Sequence, residues 1–317
     1  MPTDASWSEL VGRIAAISSE DVSFQTDEPL AQHTTLRVGG PARVFASCRS
    51  SAGVADVVRT AKDTGVPWLV LGWGANVLVP DEGLDAVVLH LDGELAAIEV
   101  TPPRVTAGGG AALAKLVRTT IDAGLAGVES LGGIPSTVGG ALAMNAGAHG
   151  QEILDVLAWA EIVETDGVLR RLARAEIEGG YRWSSLGRGL IVTRAGFDLA
   201  PADGTALRER AREARDRRLA ALPNEPSAGS VFRNPPGGFA GRLLEQAGCK
   251  GLRRGAALVS EKHANVIVNP GGATAADVRA LIGEMARRVR EASATRLVLE
   301  LKVLTREGAV LADPEVF

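Results

Sequence analysis

The stretch ESLGGIPSTVGGALAMNAGAHG, residues 129–150, is rich in glycine and alanine. Side chains this small let the backbone lie close against a flat or anionic ligand. A shorter glycine-rich loop, Gly72–Asn76, directly follows an apolar segment that is typical of a strand. A tight turn is the ordinary explanation for one pair of glycines, but two long loops of this kind favour a binding role. The residues alone do not identify the ligand.

Around these two loops, short apolar runs alternate with helical patterns. β-Branched and apolar runs predict strands over Trp68–Leu71, Ala86–Leu91, Ala97–Val100, Val105–Ala107, Ala160–Val163, Leu190–Thr193, Ala264–Val268 and Leu297–Leu304. Residues at three- and four-residue spacing predict helices over Ser51–Thr64, Ala111–Ala123, Leu207–Leu222, Gly238–Cys249 and Thr274–Ala292. Thr274 and Asp277 form a capping box, and the mixed charges of 207–222 indicate an exposed connecting helix. This mixture predicts an α+β fold.

The composition excludes several classes of protein. The 317 residues carry a net charge of -4 and only 4% aromatic residues, so neither charge nor stacking favours a nucleic-acid partner. The longest apolar stretch, residues 67–79, is broken by glycines, and we expect no membrane insertion. Cys48 and Cys249 do not suggest a disulfide framework, and the N-terminus lacks the pattern of an export signal. We therefore expect a cytoplasmic protein.

Several common catalytic and cofactor motifs are missing from the sequence. The histidines have no metal-binding spacing, which predicts no metal site; they are His33, His90, His149 and His263. Neither a GxxxxGK[ST] nor a GxSxG motif occurs. The Gly72 loop begins as a Rossmann fingerprint does, but Val77 stands where the third glycine belongs. A dinucleotide would therefore bind by another route.

Three polar residues stand in surroundings that suggest chemistry. Ser230 lies between a glycine and apolar residues, and Arg182 follows the only tyrosine, Tyr181. Glu300 interrupts the predicted C-terminal strand. Each also has an ordinary explanation: a turn serine, an arginine stacked on a surface aromatic ring, and a half-exposed carboxylate paired with Lys302. The residues alone leave both explanations open.

Several long motifs, in a consistent order, resemble those of the UDP-N-acetylenolpyruvoylglucosamine reductases. The matching segments are Thr34–Pro41, Leu71–Val79, Glu129–Gly150, Tyr181–Ser184, Ser227–Pro235, Ala247–Gly251 and Ser260–Asn265. The resemblance extends from about His33 to Leu304. It is specific because many motifs match together.

The resemblance implies an FAD-binding fold of the vanillyl-alcohol-oxidase/PCMH type with a separate C-terminal α+β substrate domain. We expect a first FAD-binding subdomain over residues 1–85, a second over 86–205, and the substrate domain over 206–317, whose last residues return to the first subdomain. The implied reaction is the NADPH-dependent reduction of UDP-N-acetylglucosamine enolpyruvate to UDP-N-acetylmuramate through bound FAD, in peptidoglycan precursor synthesis. NADPH and this UDP sugar are the expected partners, and we expect a monomer.

The resemblance also implies roles for individual residues. Arg182 and Glu300 would stabilise charge that develops on the substrate carboxylate, and Ser230 would donate a proton to the neighbouring carbon. FAD would lie against Gly72, Gly74, Ala75, Asn76, Ile134, Pro135, Ser136, Thr137, Gly139, Gly140 and Asn145. The UDP portion would be held by Tyr181, Asn234, Lys262 and His263, with Asn265 as a further candidate.

Ala75 departs from the family, which usually has serine there, and removes one hydroxyl contact with a phosphate. Trp73 and Ser136 are further departures. Two other functions stay open from the sequence. One is a flavoprotein oxidase of the same fold, which should react readily with oxygen. The other is a non-catalytic flavin binder, which the change at Ala75 favours.

Overall fold

The structure, a computed structural model, describes residues 2–312 and divides into two compact units. The first unit consists of Met1–Thr26, Val44–Gly72 and Val87–Arg218, and the second of Asp27–Arg43, Trp73–Ala86 and Leu219–Phe317. The chain therefore passes from one unit to the other several times. No helix in the described residues is long and apolar enough to cross a lipid bilayer.

Helices and strands are interspersed along the described residues. The α-helices of the described residues are α1 (Asp4–Ala15), α2 (Ser51–Thr64), α3 (Leu113–Asp122), α4 (Val138–Ala143), α5 (Gly204–Ala221), α6 (Ala240–Gln246) and α7 (Ala275–Ser293). The strands are β1 (Val22–Pro29), β2 (Pro41–Cys48), β3 (Trp68–Val70), β4 (Val77–Leu78), β5 (Leu84–Leu91), β6 (Ile98–Thr101), β7 (Arg104–Gly108), β8 (Leu125–Ala126), β9 (Gly147–Ala148), β10 (Gln151–Glu152), β11 (Leu157–Val163), β12 (Leu169–Ala173), β13 (Gly179–Gly180), β14 (Trp183–Ser184), β15 (Ile191–Asp198), β16 (Ala200–Pro201), β17 (Ser227–Ser230), β18 (Arg253–Arg254), β19 (Ala257–Val259), β20 (Val266–Val268) and β21 (Lys302–Val303).

A five-stranded antiparallel sheet lies at the centre of the first unit, in the order β12–β11–β15–β7–β6. Helices α3 and α4 pack against this sheet, and Leu116 and Phe197 are fully buried in the shared core. A second core surrounds α1 and α2. Its sheet has the order β1–β2–β5–β3. Three of these strands, β1, β2 and β5, each include residues that belong to the second unit.

Helix α2 has the predicted bounds because both of its ends carry strong signals. The hydroxyl of Ser50 accepts a hydrogen bond from the backbone N–H of Gly53 at 3.1 Å, and Gly65 ends the helix in the left-handed conformation. Val54, Val57 and other apolar residues at helical spacing are buried. Local sequence therefore decides this element.

The second unit is built on an antiparallel sheet with the order β17–β20–β19–β18. Helix α7 packs against β18 and β19, and α6 packs against α7. The capping box of Thr274 and Asp277 at the start of α7 is confirmed. The early segment 27–43 belongs to this unit, in which the hydroxyl of Thr35 donates to the carbonyl of Ser227 at 2.7 Å.

The prediction of a continuous strand over Leu297–Leu304 is wrong. Leu299 makes a single bridge with Phe232, and the backbone N–H groups of Glu300 and Leu301 both donate to the carbonyl of Val231. This shared acceptor interrupts the ladder, and only Lys302–Val303 continues as a strand, parallel to β4. The alternation of buried residues persists, because Leu297, Leu299, Leu301 and Val303 are all buried.

The predicted exposed helix over 207–222 corresponds to α5, in which only Leu207 and Ala214 are buried. Arg218, near the end of this helix, is half-buried. The expected subdomains, residues 1–85, 86–205 and 206–317, stay a prediction.

Candidate active site

The loop Gly72–Asn76 offers unpaired backbone donors. Within residues 2–312, the N–H groups of residues 72–75 donate no hydrogen bond to the protein. Gly74 is buried, and a buried N–H without a partner is rare in folded proteins. Its φ of 56° is left-handed, and a Cβ built on it would lie 2.5 Å from the carbonyl oxygen of His33. Only glycine fits this position.

The second glycine-rich loop, residues 132–140 of the stretch 129–150, has the same property at Ser136 and Thr137. Neither N–H has a protein partner in the described part of the chain, although Thr137 is buried. A Cβ on Gly72 would lie 2.6 Å from Oγ1 of Thr137, so these two residues are in close contact in the first unit. Unpaired N–H groups in glycine-rich loops bind phosphates. Each loop therefore offers backbone donors that suit a phosphate group.

Other residues predicted to contact FAD already use their donors within the protein. The N–H groups of Ile134, Gly139 and Gly140 donate to the carbonyls of Leu131 and Gly109 and to the hydroxyl of Thr137, respectively. Pro135 has no N–H and is exposed. These residues can shape a cofactor site, but they offer no additional backbone donor.

The side chain of Asn76 supports Glu300 in the second unit. The side-chain Nδ2 of Asn76 donates to the backbone carbonyl of Glu300 at 3.0 Å. The backbone carbonyl of Asn76 accepts from the N–H of Lys302 at 3.1 Å. Ala75 supplies an unpaired N–H and no hydroxyl. The last residue of the loop therefore connects it to the segment that carries the predicted catalytic carboxylate.

Asn145, predicted to contact FAD, is 2% exposed, and its amide is fully engaged inside the first unit. Nδ2 donates to Oε2 of Glu152 at 2.6 Å and to the carbonyl of Gly180 at 3.2 Å, while Oδ1 accepts from the N–H of Leu154 at 3.3 Å. No amide donor is left for a ligand. The side chain instead joins the loop after α4 to the segment that carries Arg182.

Arg182 lies between the two-residue strands β13 and β14, with a left-handed φ of 63°. Its Nη1 donates to the carbonyl of Gly147 at 3.4 Å. Its Cζ is 5.2 Å from the ring centroid of Tyr181, whose side chain is 48% exposed. The arginine–aromatic stack predicted as the ordinary explanation is therefore present, but it does not account for the left-handed backbone.

Arg218 was not identified from the sequence. Within residues 2–312 its guanidinium has no hydrogen-bond or carboxylate partner, whereas Arg210 pairs with Glu129 at 3.0 Å. Burial, and then the charge of Arg182, hold the pKa of Arg218 below its ordinary value. Its Cδ would be 2.9 Å from a Cβ built on Gly133, so it covers the second glycine-rich loop. Its position in a strongly charged helix gave no signal that one arginine differs.

Ser230 and Glu300 lie on neighbouring segments of the second unit. Ser230 pairs with Val266 across β17 and β20, and the next residue, Val231, accepts from the N–H of Glu300 at 2.9 Å. The hydroxyl of Ser230 is half-buried and makes no hydrogen bond to any described protein atom. A hydroxyl in this state is available to a ligand.

Two cations accompany these residues. Nε of Arg233 is buried without a hydrogen-bond partner among the described residues. The pKa of Lys302 is lowered, first by burial and then by the charge of Arg233. Lys302 makes no ion pair in residues 2–312, so the predicted pairing with Glu300 is absent. The second unit therefore holds unpaired positive charge close in sequence to both predicted catalytic residues.

The residues predicted to hold the UDP portion differ in what they offer. Asn234 is exposed, and its Oδ1 accepts from the N–H of Ala240 at 3.0 Å, which leaves its amide N–H groups available. Nζ of Lys262 donates to the carbonyl of Leu219 at 2.6 Å.

His263 and Asn265 have mainly internal contacts. Nδ1 of His263 accepts from the backbone N–H of Asn265 at 3.2 Å, and burial, with a contribution from Lys250, lowers the pKa of the imidazole. The buried amide of Asn265 bonds to both backbone groups of Phe232, at 2.9 and 2.8 Å. That Asn265 binds substrate stays a prediction; within the described residues its amide serves the backbone of Phe232.

The described residues contain no group of three or more His, Cys, Asp or Glu side chains that could hold a metal ion. The candidate residues thus offer backbone donors and guanidinium groups in the first unit, and backbone donors, cationic side chains, an unbonded hydroxyl and a carboxyl group in the second. This chemistry suits the binding of anions and the transfer of a proton.

Comparisons with known proteins agree with this chemistry. Residues 42–173 match the model of an FAD binding domain, and residues 222–304 match that of the UDP-N-acetylenolpyruvoylglucosamine reductase C-terminal domain. The predicted α+β fold, an FAD-binding domain with a separate C-terminal domain, is confirmed.

Full-length relatives and a solved structure extend these matches. The UDP-N-acetylenolpyruvoylglucosamine reductase of Heliobacterium modesticaldum is 44% identical over 288 residues, which cover 90% of this chain and 92% of the relative. That of Rubrobacter xylanophilus is 43% identical over 280 residues, 88% of this chain and 94% of the relative. The crystal structure of the UDP-N-acetylenolpyruvylglucosamine reductase from Thermus caldophilus has a TM-score of 0.76 at 39% identity, and covers 89% of this chain and 98% of that one.

Proposed function

Because the chain belongs to the UDP-N-acetylenolpyruvoylglucosamine reductase family, we propose that it reduces UDP-N-acetylglucosamine enolpyruvate to UDP-N-acetylmuramate, with electrons that NADPH delivers through bound FAD. It is an FAD-dependent oxidoreductase of peptidoglycan precursor synthesis. Identity of 44% over nine-tenths of the chain is the observation that carries this assignment. The unpaired backbone donors of the two glycine-rich loops support it independently.

The residues that would hold FAD are those with unpaired donors. Gly72, Ser136 and Thr137 in the first unit, and Gly74 and Ala75 in the second, have N–H groups without a protein partner in the described residues. Such groups bind phosphate oxygens. When bound, reduced FAD supplies the hydride that saturates the enolpyruvyl double bond. All other steps are assigned to side chains of this protein.

Arg182 binds the substrate carboxylate in this proposal. Hydride addition to the terminal vinyl carbon moves negative charge toward the adjacent carbon and the carboxylate. A fixed guanidinium stabilises that charge more in the transition state than in the ground state. Arg218, whose charge acts on Arg182 in the first unit, adds positive potential there.

Ser230 donates the proton that completes the reduction at the carbon next to the carboxylate. Its hydroxyl makes no hydrogen bond within the described residues, as a proton donor to substrate requires. Serine is a weak acid, and the charges of Arg233 and Lys302 favour loss of its proton. Glu300, held through its backbone by Val231 and Asn76 in the second unit, is proposed as a further group that stabilises charge on the substrate.

For the UDP portion, we propose contacts from Tyr181 and Asn234, whose side chains are exposed and keep polar groups available. Lys262 and His263 are also proposed, although each already bonds to backbone. We further propose a cytoplasmic location, because a UDP sugar and NADPH are highly charged and do not cross membranes unaided. That the chain acts as a monomer stays a prediction.

Stopped-flow absorbance of the flavin separates the two halves of the reaction. For Ser230→Ala, we expect reduction by NADPH at the normal rate. Reoxidation by UDP-N-acetylglucosamine enolpyruvate should be slower by about 10²- to 10⁴-fold, the usual contribution of a general acid. Ser293→Ala at the end of α7 serves as a matched control and should behave like the unmodified protein.

Normal reoxidation of the Ser230→Ala flavin by the enolpyruvyl substrate would contradict the role of Ser230. Rapid reoxidation of the unmodified protein by oxygen, without reaction with the enolpyruvyl sugar, would instead identify an oxidase. A folded protein that binds no flavin would overturn the assignment as a whole.

A further inference from the structure

Arg182 has an unfavourable backbone conformation that must be maintained by its surroundings. Its φ of 63° is left-handed, a region that residues other than glycine, asparagine and aspartate seldom adopt. Strands β13 and β14 on either side of it have only two residues each and pair only with one another. The hairpin therefore has little main-chain support of its own.

Asn145 attaches the hairpin to the rest of the first unit on one side. Its Nδ2 donates both to the carbonyl of Gly180, two residues before Arg182, and to Oε2 of Glu152. The N–H of Leu154 bonds to Oδ1 of the same amide. The side chain is thus fixed by two partners outside the hairpin while it holds a backbone group within it.

Ser184 attaches the hairpin on the other side, two residues after Arg182. Its hydroxyl donates to the carbonyl of Leu142 at 2.6 Å, near the end of α4, and is 3.3 Å from the carbonyl of Ala143. The residue is 3% exposed. Both attachments lead to residues 142–145, which follow the second glycine-rich loop.

We propose that Asn145 and Ser184 are positioning residues, which hold Arg182 in its left-handed conformation so that the guanidinium meets the substrate carboxylate. This inference rests on the proposed function of Arg182. It predicts that these two residues affect the reaction of substrate with reduced flavin and leave the reaction with NADPH unchanged.

The double variant N145D/E152Q tests the bond to Gly180. The amide introduced at position 152 can donate to the carboxylate introduced at position 145. That carboxylate also keeps the bond from the N–H of Leu154, and aspartate tolerates the left-handed φ of 43° at this position. The donation to Gly180 is lost because a carboxylate has no N–H, and a carboxylate oxygen then faces the carbonyl of Gly180, which repels it. We expect normal flavin content and normal reduction by NADPH, but reoxidation by the enolpyruvyl substrate that is about 10- to 100-fold slower.

A mutant cycle with Arg182→Ala separates positioning from general damage. If Asn145 acts through Arg182, the triple variant R182A/N145D/E152Q reoxidises no more slowly than R182A alone. The positioning role would be overturned if the triple variant reoxidised more slowly than R182A by the full factor that N145D/E152Q shows alone. A normal rate for N145D/E152Q would also overturn it. A normal rate for R182A itself would refute the proposed function of Arg182, which is a different result.

Ser184→Ala tests the second attachment and provides an independent variant. It should show the same selective loss of reoxidation, and a normal rate would exclude Ser184 from the proposal. Thr120→Val in α3 is the matched control, because it also removes a buried hydroxyl that donates to a carbonyl, that of Val117 at 2.8 Å. It should leave both half-reactions unchanged.

Discussion

The segment that carries Arg182 and the segment that carries Ser230 are held in place by different groups. Around Arg182, the side chain of Asn145 donates to the backbone of a short hairpin, and the side chain of Ser184 in that hairpin donates to the carbonyl of Leu142. Around Ser230, the main chain pairs with Val266 on one side, and the next residue, Val231, accepts from the main chain of Glu300 on the other.

This difference indicates where function is sensitive to substitution. The hydrogen bonds of Ser230 and Val231 join main-chain groups and do not depend on residue type, whereas the side chain of Asn265 supports the next residue, Phe232. The backbone at Ser230 should therefore keep its geometry through most changes that leave it folded. The Arg182 hairpin depends on two particular side chains. Variants should therefore divide into those that alter stability alone and those that alter catalysis alone.

Asn265→Ala gives the largest effect expected on stability and tests the side-chain support that adjoins the main-chain bonds of Ser230. The amide of Asn265 satisfies the N–H and the carbonyl of buried Phe232, two residues after Ser230. Loss of both bonds should lower the free energy of unfolding by about 3 kcal/mol, the cost of two unsatisfied buried groups. Urea denaturation measures this change.

The protein that remains folded should still be reoxidised at a rate close to normal. Asn265→Asp keeps the bond from the N–H of Phe232 but sets a buried carboxylate oxygen against the carbonyl of Phe232, so it should lose at least as much stability. If Asn265→Ala slowed reoxidation as much as N145D/E152Q, the two segments would not differ in the way described.

A smaller effect should follow from pH, through His263 beside the same segment. Burial, then the charge of Lys250, holds its pKa below the ordinary 6.5, against an opposing effect of Glu245. The unfolded chain therefore binds the proton more readily, and the free energy of unfolding should fall as the pH drops below about 6.5. It should be constant, as far as this group is concerned, above that value.

His263→Gln removes this titration, so its free energy of unfolding should vary less with pH in urea denaturation between about pH 7 and pH 5. Protonation would also remove the acceptor of the N–H of Asn265. Parallel pH curves for the variant and the unmodified protein would show that main-chain support near Ser230 does not depend on a neutral His263.

The smallest change in stability is expected at Ala294, a residue with left-handed backbone and no proposed catalytic role. Ala294 ends α7 with a φ of 55°. Ala294→Gly should raise the free energy of unfolding by about 0.5–1 kcal/mol, because the steric penalty disappears and is partly offset by the freedom of glycine in the unfolded chain. Thermal unfolding measures the gain, and both half-reactions should be unchanged. Loss of stability would mean that the cap is not strained.

Local patterns predicted the elements whose signals lie within a few residues of each other. The bounds of α2 follow from Ser50, Gly65 and the apolar residues between them. The two glycine-rich loops are predicted to be binding loops because small residues adjoin one another in the chain. The strand over Leu297–Leu304 was predicted wrongly, since its interruption depends on the carbonyl of Val231, far earlier in the sequence.

The sequence by itself determined the family, the fold class, the FAD-binding loops as candidates and the set of polar residues proposed for catalysis, because motifs and periodicity are local properties. Only the tertiary structure decided that the amides of Asn145 and Asn265 bond within the protein, that Lys302 has no carboxylate partner, and that the Ser230 hydroxyl is unbonded in the described residues. Hydrogen bonds and burial depend on which distant segments meet. Asn145 and Gly180 are 35 residues apart in the chain, and their contact arises only in the folded first unit.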